Sequence, residues 1–209
     1  MTHPTLHEEK ALWDKGFEYV IGIDEVGRGS FAGPVMVGAV VFPKRISSEL
    51  LNGVNDSKLL SELRRNNLYP RIKKHALFSK TASSSVSCIE KIGVGKATEQ
   101  AFRTVIATCL KKLNSNSVFV LVDAFYIPHV KSIGKIKQKA IVKGDQKSFS
   151  IAAASIIAKV ERDRYMIRLS DMYPQFSFHK NKGYGTLSHR LAIQTHGLSK
   201  VHRRSFCIP

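Results

Sequence analysis

The spacing of apolar residues along the chain predicts an α/β protein. Two runs, Tyr19–Val26 and Val35–Phe42, are expected to form strands, and the tight glycine-rich turn between them favours antiparallel pairing. Ser117–Asp123 holds five apolar residues in a row, which is typical of a strand covered on both faces. Further strands are expected at 78–86 and at the end of the basic segment 131–143.

Apolar positions at helical spacing predict helices over residues 5–15, 61–75, 94–113, 148–171 and 187–195.

Several helices carry further sequence signals. In the longest, the small residues 152–155 should permit close packing on the sheet. For the last helix, Thr186 is a candidate cap and Gly197 a stop. Residues 173–186 mix aromatic side chains with lysines and are expected to form a loop suited to nucleic acid.

Two charged patterns near the end of the chain have ordinary explanations. Alternating charges at Arg162-Asp163-Arg164 are typical of a solvated helix face, with Asp163 orienting an arginine. The histidines at 189, 196 and 202 lack short metal-ligand spacing, so we expect them to be structural or to face phosphate.

Net charge narrows the function classes. The chain of 209 residues has 33 Lys and Arg against 16 Asp and Glu, a formal charge of +17 spread along its length. Such a surface favours nucleic acid as partner, with anionic membrane second. Because no run of 18 apolar residues occurs, a membrane span is not expected. The first sixteen residues lack a signal-peptide pattern and the three cysteines form no motif, which fits a reduced cytoplasm.

We expect the functional site at the end of the first predicted strand. Asp24 and Glu25 stand side by side there, an arrangement that costs free energy unless a cation or separate donors neutralise them. Gly27-Arg28-Gly29 follows and would bring the backbone and a guanidinium close to phosphate. The alternative is a polar strand end and a simple turn. A dinucleotide fingerprint is excluded, because the glycine spacing is one residue too long and Pro34 opens a strand.

Other strand ends add acids to this set. Asp123 closes the buried strand, and Asp145 follows the next one. Several carboxylates around two cations are what two-metal phosphodiester chemistry needs, and hard oxygen ligands favour Mg²⁺ or Mn²⁺ over Zn²⁺. Asp24 and Glu25 converge only if their strand bends. Lys58, near a helix start, is a candidate phosphate ligand, while Asp56 or Ser57 could simply cap that helix.

Taken together, these motifs resemble the bacterial ribonuclease HII family, the type 2 ribonucleases H. The similarity runs in family order from residue 20 to residue 206. It rests on Ile-Gly-Ile-Asp24-Glu25-Val-Gly-Arg-Gly-x-x-Ala-Gly-Pro, Asn-Asp-Ser-Lys58, Leu-Val-Asp123, Lys-Gly-Asp145, Ala-Ala-Ala-Ser-Ile-Ile-Ala-Lys-Val-x-Arg-Asp, Asn-Lys-Gly-Tyr184-Gly-Thr and His-Arg-Arg-Ser-Phe. The sister type, ribonuclease HIII, lacks the Gly-Arg-Gly turn and normally adds an N-terminal domain.

The resemblance implies a fold, an activity and a set of residue roles. The fold is ribonuclease H-like: one catalytic domain over 1–209, with a mixed five-stranded sheet and flanking helices at about 17–170 and a helical extension at about 171–209. The activity is metal-dependent cleavage of the RNA strand of RNA–DNA hybrids and incision 5′ of single ribonucleotides in duplex DNA, a DNA-repair role. Products would carry 3′-hydroxyl and 5′-phosphate ends. A monomer is the expected state.

The residue roles are carried over by position. The metal-binding catalytic acids would be Asp24, Glu25, Asp123 and Asp145. The residues that sense the 2′-hydroxyl and the RNA–DNA junction would be Gly27, Arg28, Gly29 and Tyr184.

Two departures from the family pattern are visible. Ser30-Phe31 stands where Pro-Leu is common, beside the junction-reading turn. The link from Asp123 to Asp145 is longer by a few residues and rich in lysine, which makes Asp145 the least secure acid. Two other functions remain open: a catalytically silent hybrid-binding protein, and a DNA endonuclease on the same fold.

Overall fold

The computed structural model describes residues 3–113, 117–130 and 137–206. A mixed sheet of five strands forms its centre, in the order β3-β2-β1-β4-β5. β2 is antiparallel to both β1 and β3, whereas β1, β4 and β5 run parallel. The strands are β1 (Tyr19–Val26), β2 (Val35–Val41), β3 (Phe78–Ser84), β4 (Val118–Asp123) and β5 (Gln138–Ile141).

Seven helices surround this sheet in the described residues. They are α1 (His7–Asp14), α2 (Ser48–Gly53), α3 (Glu62–His75), α4 (Val86–Leu113), α5 (Phe149–Met172), α6 (Phe178–Asn181) and α7 (Leu187–His196).

Both sheet faces are covered, as the continuous apolar run in β4 predicts. Side chains alternate along a strand, so Val20 of β1 packs towards α5 while its neighbour Ile21 packs towards α4. In β4, Leu121 and Val122 divide in the same way. The core therefore has two layers, and the ends of β1 and β4 emerge between them.

The predicted close packing of α5 on the sheet is confirmed. A Cβ atom added to Gly22 of β1 would lie 2.2 Å from the carbonyl carbon of Ser150. One added to Gly38 of β2 would lie 2.3 Å from the carbonyl oxygen of Ala154. Because these distances leave no room for a methyl group, the two glycines set how closely α5 approaches β1 and β2.

Several sequence-based boundaries were wrong. Residue 86 starts α4 and does not end β3; Gly93, at φ 80°, kinks this helix one residue before the predicted start at 94. The predicted loop 173–186 contains α6, and α2 was not foreseen. Neither Asp56 nor Ser57 caps α3; Ser61 does, through its side chain.

The C-terminal extension packs directly on the core. α6, α7 and the 3₁₀ turn Pro174–Phe176 share an apolar cluster with α5 and with Ala32 of the β1–β2 connection. Thr186 caps α7 and Gly197 ends it, as predicted. No helix in the described part of the chain is long and apolar enough to cross a bilayer.

Candidate active site

Three of the four predicted acids meet at the ends of β1, β4 and β5. Asp24, Asp123 and Asp145 each place a carboxylate oxygen within 4.8 Å of the others. Asp24 and Asp145 are buried, and Asp123 is partly exposed. A charged trio this close and this buried is the arrangement expected of a divalent-cation site.

The fold explains why these acids converge. β1 and β4 are adjacent and parallel, and Asp24 and Asp123 both point to the α5 side of the sheet. Asp145 lies in the 3₁₀ turn Gly144–Gln146 that follows β5. The Gly144 amide donates to Oδ1 of Asp123 at 2.7 Å, which fixes this turn against the end of β4.

The electrostatics of Asp24 and Asp123 fit a bound cation. Burial, together with the charge of Glu25, raises the pKa of Asp24 well above its usual value. Burial also raises the pKa of Asp123, and the nearby charge of Asp145 adds to this effect. A hard divalent ion would relieve both the desolvation and the mutual repulsion, so the residues present fit such an ion.

Glu25 lies apart from the three-acid cluster. The β1–β2 register runs without interruption from Ile21 to Val26, so the bend needed for Asp24 and Glu25 to converge is missing. The Glu25 carboxylate instead forms an ion pair with Arg28 at 3.4 Å. Burial raises the pKa of Glu25, although the Arg28 charge opposes that shift. Its role as a metal ligand stays a prediction.

Lys58 reaches the acids directly. Its Nζ atom donates to Oδ2 of Asp145 at 3.0 Å, while three quarters of its side chain remains exposed. Partial burial, the largest single influence, lowers the pKa of Lys58, but the hydrogen bond to Asp145 and the charges of Asp145, Asp56 and Asp24 together outweigh it, so the pKa is raised. The ammonium group is therefore charged and sits at the rim of the site, and its contact with phosphate stays a prediction.

Two buried arginines hold the glycine turn between β1 and β2. Arg162 of α5 donates to the carbonyls of Pro34, Lys182 and Ala32 and to the hydroxyl of Ser30, at 2.7–3.1 Å.

Arg203 holds the same turn from the C-terminal side. Its guanidinium donates to the carbonyls of Gly33 and Arg28 at 2.8–2.9 Å. Like Arg162, it is fully buried. The turn is thus fixed from behind through its own backbone.

The structure corrects the prediction of a solvated face for Arg162 and Asp163, whereas Arg164 is exposed as predicted. Arg162 and Asp163 are buried, and Asp163 binds Lys159 at 2.8 Å. At Gly27 (φ 89°), an added Cβ would lie 2.2 Å from Nε of Arg162, so only glycine fits there. Sequence analysis missed this arrangement because the charge pattern of a buried arginine does not differ from that of an exposed one.

Arg28 belongs to this turn, and Tyr184 lies next to the arginine that holds it. The Tyr184 ring is partly buried, with Lys159 Nζ at 5.5 Å and the Arg162 guanidinium at 5.4 Å from its centroid. Arg28 is about half exposed and lies 5.7 Å from the ring of Phe125. A Cβ added to Gly29 would meet nothing within 4 Å, which leaves the turn's outer surface open.

A sequence model of the ribonuclease HII family matches residues 21–208. The chain belongs to the ribonuclease HII family. The relative from Halalkalibacterium halodurans is 43% identical over 198 residues, 95% of this chain and 71% of its own. That from Desulfitobacterium hafniense is 42% identical over 201 residues, 96% of this chain and 73% of its own. Both are named ribonuclease HII, and the chain is accordingly a type 2 ribonuclease H acting on nucleic acid.

Solved structures support the same fold. Ribonuclease HII from Archaeoglobus fulgidus, solved in complex with PCNA, has a TM-score of 0.71 at 26% identity and covers 91% of this chain and 96% of its own. A ribonuclease HIII solved with Mn²⁺ has a TM-score of 0.72 at 18% identity, covering 94% of this chain and 70% of its own. The predicted ribonuclease H-like fold is therefore confirmed.

Two histidines of this ribonuclease HII family member form a buried pair. His189 and His202 approach at 3.0 Å between their Nε2 atoms. His189 Nδ1 lies 2.9 Å from the Tyr184 carbonyl, which can only accept, so this nitrogen carries a proton. The Ser199 amide donates to His202 Nδ1 at 3.0 Å, so His202 carries its proton on Nε2 and donates to His189. The predicted structural role fits both residues.

We expect this pair to make the fold sensitive to acid. Burial, and then the neighbouring His189, lowers the pKa of His202 to about 4 from an ordinary 6.5. The unfolded chain therefore takes up the proton at higher pH than the folded one. His202 therefore makes its full contribution to the free energy of unfolding above pH 6.5. As the pH falls towards 4, that free energy decreases by at most about 3 kcal/mol.

Thermal unfolding of the wild type and of His202→Asn between pH 7 and pH 4 measures this contribution. Their difference in melting temperature should narrow on acidification, which separates the histidine from the carboxylates of the site. A constant difference over this range would contradict the expectation.

Proposed function

We propose that this ribonuclease H incises duplex DNA on the 5′ side of a single embedded ribonucleotide and also cleaves the RNA strand of RNA–DNA hybrids. Hydrolysis would use two divalent cations, Mg²⁺ or Mn²⁺, and leave 3′-hydroxyl and 5′-phosphate ends. The observation that carries the proposal is the buried trio Asp24, Asp123 and Asp145 beside an arginine-held glycine turn. The three carboxylates would bind the cations that promote cleavage, and the turn would provide the surface that recognises the ribonucleotide.

The three carboxylates would hold the cations. Glu25, close enough for its charge to raise the pKa of Asp24, would be a fourth ligand after its ion pair with Arg28 opens. Bound divalent ions supply an activated water and neutralise the charge that develops on the leaving oxygen. Lys58, at 3.0 Å from Asp145, orients that carboxylate and presents positive charge to the substrate backbone. Burial of Asp24 keeps bulk water from competing for the ligand oxygens.

Selection of the ribonucleotide would fall to the turn and Tyr184. A 2′-hydroxyl is what separates RNA from DNA at one site, and it can both donate and accept. Gly29 leaves room for close approach of a sugar, and Arg28 is exposed enough to reach phosphate. Tyr184 offers an aromatic face on which the sugar or base at the junction can rest.

The remaining assignments rest on charge and packing. A formal charge of +17 suits a duplex backbone and supports binding that depends on salt. We propose that 1–209 acts as one catalytic unit, since the C-terminal cluster shares Met166 and Ala32 with the core. We also propose a monomer that works in the cytoplasm and serves DNA repair.

The test uses a DNA duplex with one ribonucleotide, an all-DNA control and a long RNA–DNA hybrid, each with Mg²⁺, Mn²⁺ or EDTA. Metal-dependent incision 5′ of the ribonucleotide, with the all-DNA duplex intact, is the expected result. Equal cutting of the all-DNA duplex would favour a DNA endonuclease. Binding without cleavage in any metal would favour a silent hybrid-binding protein, against which the three assembled acids argue.

Replacing Tyr184 with alanine should separate the two substrates. We expect cleavage at the lone ribonucleotide to fall by about tenfold or more, the scale of one lost stacking contact. Affinity for the hybrid should change little, because the basic surface supplies most of it. Kinetics on both substrates and binding at matched salt measure this, and equal losses would remove Tyr184 from the junction-reading role.

A further inference from the structure

Three separated segments meet around the turn between β1 and β2. Backbone amides of Phe31 and Ala32 donate to the Gly183 carbonyl at 2.8 and 3.2 Å, beside Tyr184. On the other side, the Gly33 amide donates to the Val201 carbonyl at 2.9 Å, beside His202. The turn is therefore bonded both to the Tyr184 segment and to the His202 segment.

The histidine pair links those two segments to each other. One end of the pair donates to the Tyr184 carbonyl, and the other accepts from the Ser199 amide. Both rings are buried, at 0% and 2% exposure for His189 and His202. The hydrogen-bonded chain thus closes a triangle whose corners are the turn, the Tyr184 segment and the C-terminal segment.

The surroundings of the pair show that filling space does not require imidazoles. Phe176 and Phe178 pack against the rings, with centroids at 4.6 Å from His202 and 5.4 Å from His189. A phenyl ring suits this aromatic cluster in its apolar character, although it is larger than imidazole and cannot approach oxygen or nitrogen as closely as 2.9–3.0 Å. What a phenyl ring cannot supply is a donor to the Tyr184 carbonyl or a link to the segment at 199–202.

We propose that His189 and His202 are positioning residues that hold Tyr184 at a fixed place relative to the Gly-Arg-Gly turn, and thereby set the preference for a single ribonucleotide over a long hybrid. This inference rests on the proposed function, because Tyr184 must read the junction for its position to matter. The pair acts on neither cation nor phosphate. Loss of the histidine pair should therefore leave the cleavage step unchanged and reduce the preference for a single ribonucleotide over a long hybrid.

Four variants test the proposal against a merely structural role. His189→Phe keeps an aromatic ring in the cluster and removes both hydrogen bonds, and its melting temperature shows whether the larger ring is accommodated. His189→Asn places an amide near the Tyr184 carbonyl and serves as the conservative rescue. His202→Asn retains an acceptor for Ser199 but breaks the link between the two rings. His196→Phe is the matched control: His196 lies on α7, is exposed, and contacts Phe176 at 6.3 Å.

The readout is kcat and KM on the single-ribonucleotide duplex and on a long hybrid, with melting temperature measured for each variant. We expect His189→Phe to lose at least fivefold in kcat on the single ribonucleotide and less than twofold on the hybrid. His202→Asn should lose by a smaller factor in the same direction. The substrate ratio is kcat on the single-ribonucleotide duplex divided by kcat on the hybrid. His189→Asn should restore at least half of the decrease in this ratio caused by His189→Phe, and His196→Phe should match the wild type.

Two results would overturn the inference alone. One is an unchanged substrate ratio in His189→Phe and His202→Asn while the wild type incises at the ribonucleotide. The other is a parallel loss on both substrates that His189→Asn does not restore. A wild type that never incises at an embedded ribonucleotide overturns the proposed function and this inference with it.

Discussion

Asp24→Asn is expected to reduce the cleavage rate by about a thousandfold or more, which corresponds to a loss of roughly 4 kcal/mol of transition-state stabilisation. An amide cannot supply the negative oxygen that a hard divalent cation requires. Binding to a hybrid at low salt should persist, because the basic surface provides most non-specific affinity. Single-turnover cleavage and binding on the same hybrid measure the two effects separately. Loss of binding in step with cleavage would contradict this role for Asp24.

The same substitution should stabilise the protein when divalent ions are removed. Asp24 is buried among like charges, which raises its pKa and makes its ionised form costly at neutral pH. Removing the charge should gain about 1–2 kcal/mol, or roughly 2–8 °C in melting temperature. Adding Mg²⁺ should then stabilise the wild type more than the variant. Asp171→Asn, at an exposed acid on α5, is the control and should change neither property.

Arg162→Met is expected to be among the most destabilising single changes in the chain. It removes the donor from four buried acceptors, each of which costs about 1–3 kcal/mol when left unpaired. Relief of the buried charge offsets part of this loss, since burial lowers the pKa of Arg162. We expect a net loss of about 3 kcal/mol, or roughly 6–12 °C in melting temperature.

Arg168→Met on the exposed side of the same helix is the matched control and should shift the melting temperature by about 1–2 °C at most. Thermal and urea unfolding of both variants measure the contrast. Similar losses in the two variants would show that the hydrogen bonds of Arg162 to the turn contribute little.

Much of the fold and of the acid site could be predicted from local sequence. The apolar run before Asp123 predicted a strand covered on both faces, and the adjacent acids Asp24 and Glu25 before the glycine turn marked the end of β1. Asp145 could be placed after a further predicted strand, but that strand, β5, has only four residues and gives a weaker local signal than β1 or β4. The geometry nevertheless brings a carboxylate oxygen of Asp145 within 4.8 Å of those of Asp24 and Asp123.

The parts that sequence did not predict depend on contacts between distant residues. Arg162 and Arg203 look like ordinary surface charges until the turn at 27–34 folds against them. His189 and His202 are separated by thirteen positions and lack the spacing of metal ligands, so no local pattern indicates that they form a hydrogen bond with each other. The Ser30-Phe31 departure has an explanation: the Ser30 hydroxyl donates to the Gly27 carbonyl and accepts from Arg162, while Phe31 packs against Gly185.

The wide separation in sequence of the residues around the turn has a consequence for biosynthesis. The first acid is translated at position 24, yet the guanidinium that holds its neighbouring turn arrives at position 203. At about 5–20 residues per second, a ribosome needs roughly 10–40 s to cover that distance. A nascent chain therefore carries its first carboxylates for most of its synthesis without a finished site. We therefore expect the turn to become fixed only when synthesis of the chain is almost complete.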